Sequence, residues 1–273
     1  MITQRKKWNV WLCDEEARAA VPSVPSFRVV KRPRSATVRN LFVFCSAIQL
    51  PQVSRLVSTV NRRNQLIALF LRQDADSVWL PQLLVRANLR AVRSLLVFSD
   101  LELPKRVLAA WQHGAEKELI ARAMVAGDRL LVTSCVPETI EIGFEEIPAL
   151  SQLPRRQRVK FELSSDGSYI RWPQKDVHLS LDTIRCATDP SYREQRAASQ
   201  LSRLRNWGVA ISMLRKRRSL RQCEIPGLSE RQLRRIEGGA KATVPALKKL
   251  AAAHGMELEE YLDAVAEGAT KLN

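Results

Sequence analysis

Three short apolar runs, "LFVFC" (41–45), "LIALFL" (66–71) and "SLLVF" (94–98), constrain the amino-terminal half of the chain more than any other feature. Each has the length and the aromatic and branched-aliphatic content of a strand buried on both faces. Between the first two, Val53, Leu56, Val57 and Val60 recur at the spacing of a single helix face. Strands alternating with helical stretches predict a small parallel sheet, an α/β domain over 39–123. In such sheets ligands gather beyond the carboxyl ends of the strands, here near Ser46, Asp74, Asp76, Asp100 and Glu102. No glycine-rich turn follows any of the three runs, so the sequence offers no cradle for a dinucleotide or triphosphate. The carboxylates read instead as caps and turn residues, and no cofactor or metal motif is evident.

The flanks differ in character. Residues 1–38 carry Trp8 and Trp11 and then "VPSVPSFRVVKRPRSATVR", whose prolines argue against a long helix or a central strand. They read as a basic, partly ordered arm, with "VVKRPRS" suited to lie along phosphates. Residues 104–122 read as a helix in which Gly114 is a weakness or a break. Strand signals follow over 124–188: "RLLVTSC" and "TIEIGF" flank a hairpin at "VPE", and an Asp166-Gly167 turn precedes alternation that points Val177, Leu179 and Leu181 inward. His178, on the outward side of that alternation, reads as surface, as do His113 and His254 on their helices.

Charge narrows the partners. Forty-four Lys and Arg against 28 Asp and Glu give a formal net charge of +16, which favours polyanions, nucleic acid foremost. An acidic membrane surface is the competing partner, but no apolar run reaches the roughly 18 residues of a spanning helix, and "MITQRKKWNVWLCDEE" has no apolar core after its positive start. The expectation is a soluble, cytoplasmic protein with no membrane partner. Its five cysteines are scattered, with no Cys-x-x-Cys pair, and read as reduced thiols.

The remaining residues predict a helical domain over 201–267, reached through a linker at 189–200 and followed by a tail at 268–273. "SQLSRLRNWGVAISMLRKRR" places Leu204, Ile211 and Leu214 on a core-facing side. Ser219 with Gln222 predicts a capping box that opens a short helix stopped by Pro226 and Gly227. Next comes "SERQLRRIEGG" (229–239), in which Ser229 caps and Gln232 closes a second box. Leu228 is placed to staple onto Leu233. At about 100° per residue, Leu233 and Ile236 share one side while Arg231, Arg234 and Arg235 lie opposite. Gly238 and Gly239 supply the left-handed end. Two more helices follow, with Leu247, Leu250 and Ala251, then Leu258, Leu262 and Val265, at core spacing.

Three resemblances attach to these residues. "DGSYIRWP" followed by "DVHLSLDTI" resembles the small α+β module DUF2442 over about residues 124–186, which implies a fold and a domain order but no chemistry. "LRKRRSLRQCEIPGLSERQLRRIEGG" closely resembles the lambda-repressor-like, XRE-type helix-turn-helix family, over about residues 209–265. That second resemblance implies an all-α DNA-binding domain. Gln222 would open helix two against a phosphate or base edge. Glu230, Arg231 and Arg235 would face bases, and Arg234 and Lys241 would reach phosphates. Ser229 and Gln232 at the helix start complete the candidate set, and Glu237 supports the fold. The stretch "CEIP" makes helix two shorter than is usual in that family. The third resemblance is topological and confined to 41–106: a serine after the first strand, Arg55 and Arg62 on a helix, and "DLELPKR" after a third strand are similar to the catalytic domain of serine recombinases. Phe44 stands where that family carries an arginine two residues before its nucleophile.

The expectation is a non-enzymatic, sequence-specific transcriptional regulator that binds double-stranded DNA. Arginine suits the task because it donates two hydrogen bonds to guanine O6 and N7, worth about 1–3 kcal/mol of discrimination. A homodimer and a protein partner held by the amino-terminal region are the further partners this reading allows. The alternatives are a nucleic-acid-binding subunit of a larger assembly, in a mobile-element or defence system, and a degenerate recombinase-like protein working through Ser46.

Overall fold

The computed structural model describes residues 7–31, 33, 38–73, 82, 84–85, 87, 89, 92 and 94–272. Asp74, Asp76 and, within "VVKRPRS", Arg32, Arg34 and Ser35 lie outside the described residues. The chain divides into two compact units, Met1–Thr188 and Asp189–Asn273.

The first unit is built on a five-stranded parallel sheet. Its strands β1 (Trp8–Leu12), β2 (Phe27–Val30), β3 (Leu41–Ser46), β4 (Leu66–Arg72) and β5 (Leu95–Phe98) run in the order β2-β1-β3-β4-β5. The alternation of side chains across a strand sorts the apolar runs onto two faces. Phe42, Phe44, Phe70, Leu96 and Phe98 enter one core with Val107 and Leu108 of α2 (Glu102–His113). Leu41, Val43, Cys45, Leu69 and Leu71 enter the other, with Val53, Val57 and Val60 of α1 (Leu50–Arg62). Being covered on both sides is what makes the central strands read as unbroken apolar runs. The Phe44 and Phe70 rings stack with centroids 4.4 Å apart.

Two expectations are corrected here. Residues 8–30 are not an arm: Trp8, Val10 and Phe27 are buried, and they bring two further parallel strands to the sheet edge. The prolines that argued against a strand, Pro22 and Pro25, fall between the 3-10 helix Glu15–Ala20 and β2, where no ladder donor is needed. The helix expected over 104–122 ends at His113, where Gly114 takes the left-handed conformation (φ 71°). Residues Ile120–Ala126 are then β6, a strand.

Strand β6 pairs antiparallel with β7 (Arg129–Ser134), and β7 with β8 (Thr139–Gly143). A second three-stranded sheet, β9 (Glu162–Leu163), β10 (Ile170–Trp172) and β11 (Val177–Leu179), leads into α3 (Leu181–Thr188). Both sheets and α3 share one core, containing Phe144, Ile170, Trp172, Leu179 and Ile184. Trp172 sits 1% exposed, its indole N–H donating to the Arg158 carbonyl at 3.0 Å. At the Asp166-Gly167 turn, the Asp166 carboxylate accepts from the Ser168 backbone and hydroxyl, bonds that hold it below the usual aspartate range. Gly167 (φ 78°) lies so close to the Ile120 carbonyl oxygen that a Cβ there would sit 2.4 Å from it. His178 is exposed, as expected, but has a carboxylate beside it, Asp176 at 3.2 Å.

The second unit is helical: α4 (Pro190–Arg217), a 3-10 turn at Gln222–Glu224, α5 (Glu230–Glu237), α6 (Val244–Ala253) and α7 (Leu258–Thr270). Residues 189–200 are no separate linker, because Asp189 caps α4 and the helix runs unbroken from Pro190. Helix α7 continues beyond 267 into the expected tail. The core comprises Ile211, Ile225, Leu233, Ile236, Leu250, Tyr261 and Val265 among others. On α7 the buried stripe is Tyr261, Val265 and Ala269, with Leu258 and Leu262 only half-buried, so the inward face is rotated from the expected one. Buried likewise is His254, whose Nδ1 lies 2.8 Å from the Leu250 carbonyl, where a surface histidine was expected.

Among the described residues no helix is long and apolar enough to cross a membrane.

Candidate nucleic-acid interface

The local chemistry of α5 explains its position. The Ser229 hydroxyl accepts from the Gln232 N–H (3.2 Å), and Gln232 Oε1 accepts from the Ser229 N–H (3.1 Å), so the capping box is complete. Leu233 and Ile236 are buried beneath the helix, while Glu230, Arg231, Gln232, Arg234 and Arg235 are exposed. At its end Gly239 alone is left-handed (φ 94°); Gly238 has φ −80°. Ser229→Ala is expected to lower the stability of the 189–273 unit by about 1 kcal/mol in urea unfolding, leaving the exposed arginines in place.

What anchors α5 from below is a buried ion pair. Arg215, near the end of α4, donates from Nε to Glu237 Oε1 (2.5 Å) and from Nη2 to Oε2 (3.0 Å), with both side chains 8% exposed. Its Nη1 donates to the Leu220 carbonyl (2.6 Å), pinning the chain as it leaves α4. Gln222 Nε2 adds a third bond to the carboxylate, at 2.6 Å from Oε2. Burial alone would push the Glu237 pKa up, but the bonds from Arg215 and Gln222 outweigh it and hold the carboxyl below the ordinary glutamate range.

Sequence reasoning missed Arg215 as an interior group, although it stands four residues after the buried Ile211 and so on the same helix face. Gln222, expected to reach outward, is half-buried and committed to Glu237. The capping box expected from Ser219 and Gln222 forms two residues later, between Arg221 and Glu224, because Ser219 is itself left-handed (φ 57°). The turn from Gln222 to Glu224 is a single 3-10 turn.

The exposed groups fall into two sets. Arg234 is paired with Glu230 one turn earlier, at 3.1 Å. Arg231, Arg235 and Lys241 make no side-chain hydrogen bond or ion pair among the described residues. Arg235 and Lys241 share a shallow cleft of about 200 Å³ with Gln232, Leu228 and Thr243, so the structure brings three of the candidate residues onto one surface. Lys216, Arg217 and Arg218, at the end of α4, are exposed as well. Lys249 is used internally, donating to the Gly227 carbonyl (2.7 Å) across the left-handed turn before α5.

Such an arrangement suits recognition of an anion: guanidinium groups with free donors on a short helix whose other face is locked by packing and an ion pair. Around Ser46 the geometry is different. Ser46 is buried, its backbone N–H donating to Gln49 Oε1 at 3.0 Å, and its hydroxyl has no hydrogen-bond partner among the described residues. Among the described residues, no cluster of three or more His, Cys, Asp or Glu side chains is placed to hold a metal ion. Compared with family models, curated proteins and solved structures, the chain matches none of them.

Proposed function

We propose that the protein is a sequence-specific DNA-binding regulator whose 189–273 unit works as an XRE-type helix-turn-helix, with α5 as the recognition helix. The observation that carries this reading is the set Arg231, Arg235 and Lys241, exposed and without partners among the described residues, on and just after a helix fixed by Leu233, Ile236 and the Arg215–Glu237 pair. A helix that already satisfies its own cap and its buried charge keeps these cations for a ligand. Arg231 and Arg235 are assigned to base edges, Arg234 and Lys241 to phosphates, and Lys216 to Arg218 to the flanking backbone. Glu230, held by Arg234, selects register by accepting from cytosine and repelling phosphate. The 124–188 region is assigned to a DUF2442-like module that precedes the reading domain.

One observation favours a second reading, a subunit that docks on nucleic acid by charge within a larger assembly. The single 3-10 turn at Gln222–Glu224, with Gln222 turned inward, leaves fewer groups to orient α5 on a duplex.

Selection of bound genomic fragments at near-physiological salt separates the two. Enrichment of one short motif by the wild type, lost in the Arg231→Ala/Arg235→Ala protein, is the result expected of a regulator. Binding without a motif, fading steeply with salt and little changed by the double substitution, would transfer the assignment to the docking subunit.

A further inference from the structure

In a sheet of order β2-β1-β3-β4-β5, the general expectation is a ligand at the switch point between β1 and β3. Here that crevice is occupied by the chain itself. Asp14, 3% exposed, lies 2.7 Å from Arg72 Nε, and Arg72 also pairs with Glu16. The Gln49 side chain bridges the crevice, accepting from the Ser46 N–H and donating to the Cys13 carbonyl.

Space opens farther along the same carboxyl edge. Beyond β4 and β5 lies a cleft of about 380 Å³, bounded by Gln73, by Phe98 to Asp100, by the first turn of α2, by Ala121 to Ala123 and by Phe161 and Leu163. That volume is in the range of small-molecule sites. Its walls are apolar at Val97, Phe98, Phe161 and Leu163. Four charged residues line it; Glu102 pairs with Lys105 at 3.1 Å, Arg106 is held by backbone carbonyls, and the other two, of opposite sign, enter from different elements. Arg122 of β6 is half-buried and has no hydrogen bond or ion pair among the described residues. Its strand carries a register irregularity between Ile120 and Arg122, the kind of local break that re-aims a side chain. Asp100, in the turn from β5 to α2, uses one oxygen to accept the Glu102 N–H at 2.8 Å and has no ion pair among the described residues. Arg106 is different: it is tied to the carbonyls of Ala121 and Ser165 and serves as a strut.

We propose that this cleft binds a free α-amino acid with an apolar side chain, its carboxylate on Arg122, its ammonium on Asp100 and its side chain against Phe161 and Leu163. A guanidinium without a counter-ion matches a carboxylate in two-pronged fashion. A carboxylate with a free oxygen, in the same cleft, matches the second charge of a zwitterion. Apolar walls select the side chain. The assignment does not depend on what the 189–273 unit recognises.

Isothermal titration of the full chain with L-leucine and with L-phenylalanine near neutral pH tests it. Saturable binding of at least one of them, at one site per chain, is expected. Arg122→Gln and Asp100→Asn should each weaken it about tenfold or more, as loss of a charge-assisted hydrogen bond does. The N-acetylated and carboxamide forms of the same amino acid should bind comparably weakly. Thermal melts of both variants without ligand establish that they are folded. The proposal is overturned if neither amino acid binds saturably, if folded Arg122→Gln binds as the wild type does, or if the N-acetylated form binds as tightly as the free one. No DNA is read out, so failure here leaves the regulator reading standing.

Discussion

Glu237→Ala is expected to destabilise the 189–273 unit by about 3–5 kcal/mol, because removing one partner of a buried ion pair leaves the other charge without compensation. Arg215 would keep the Leu220 carbonyl as an acceptor but lose both bonds to the carboxylate, at a position where its side chain is 8% exposed. Gln222 would lose its partner as well. Glu237→Gln, which preserves shape and an acceptor, should cost less, about 1–3 kcal/mol. Urea unfolding of each variant measures the difference, and equal stability of Glu237→Ala and wild type would remove the pair from the account of this fold. A pH dependence follows from the same pair. The Glu237 carboxyl is held below its ordinary value in the folded chain, so its contribution is present above the unfolded glutamate value and disappears as pH falls through the lower, folded one. In Glu237→Gln that part of the acid sensitivity should be missing.

The second large effect concerns a glycine. A Cβ added at Gly208 would stand 2.5 Å from the Glu237 carbonyl oxygen, 2.7 Å from that of Ile236 and 2.8 Å from the Gly239 nitrogen. All three are backbone atoms, which cannot swing aside as the end of a side chain can. Gly208→Leu is therefore expected to cost about 3 kcal/mol or more, by forcing α4 away from the end of α5. Val209→Ala, on the exposed side of the same helix, should change stability by no more than about 0.5 kcal/mol. If Gly208→Leu unfolds at the same urea concentration as the wild type, the close approach of the two helices is not what holds α5.

These two positions show how legible the chain was. The sequence marks α5 plainly, since its cap, its apolar pair and its terminal glycines all lie within eleven residues and act on one another directly. Gly208 and Arg215 look unremarkable in a line of text, because what they meet lies on another helix, in the case of Arg215 and Glu237 22 residues away. A charged residue at a core-facing position, here four after Ile211, is the one signal that pointed to the pair. The amino-terminal strands tell the same story. Trp8, Val10 and Phe27 are spaced among prolines and charges that read locally as an arm, and only the neighbouring β3, with its Phe42 and Phe44, turns them into strands by burying them.

By itself the sequence determined what short-range physics governs. It set the apolar runs that become parallel strands, the Asp-Gly turn within the last small sheet, the capped helix with arginines opposite Leu233 and Ile236, and the positive charge that favours a polyanion. Only the tertiary structure decided which polar groups are spent inside. It turned Gln222 inward, set Arg72 against Asp14 at the switch point, and left Arg231, Arg235 and Lys241 without partners among the described residues. Helix, turn and strand propensities act over a few residues, whereas the desolvation of a charge depends on every element that closes around it.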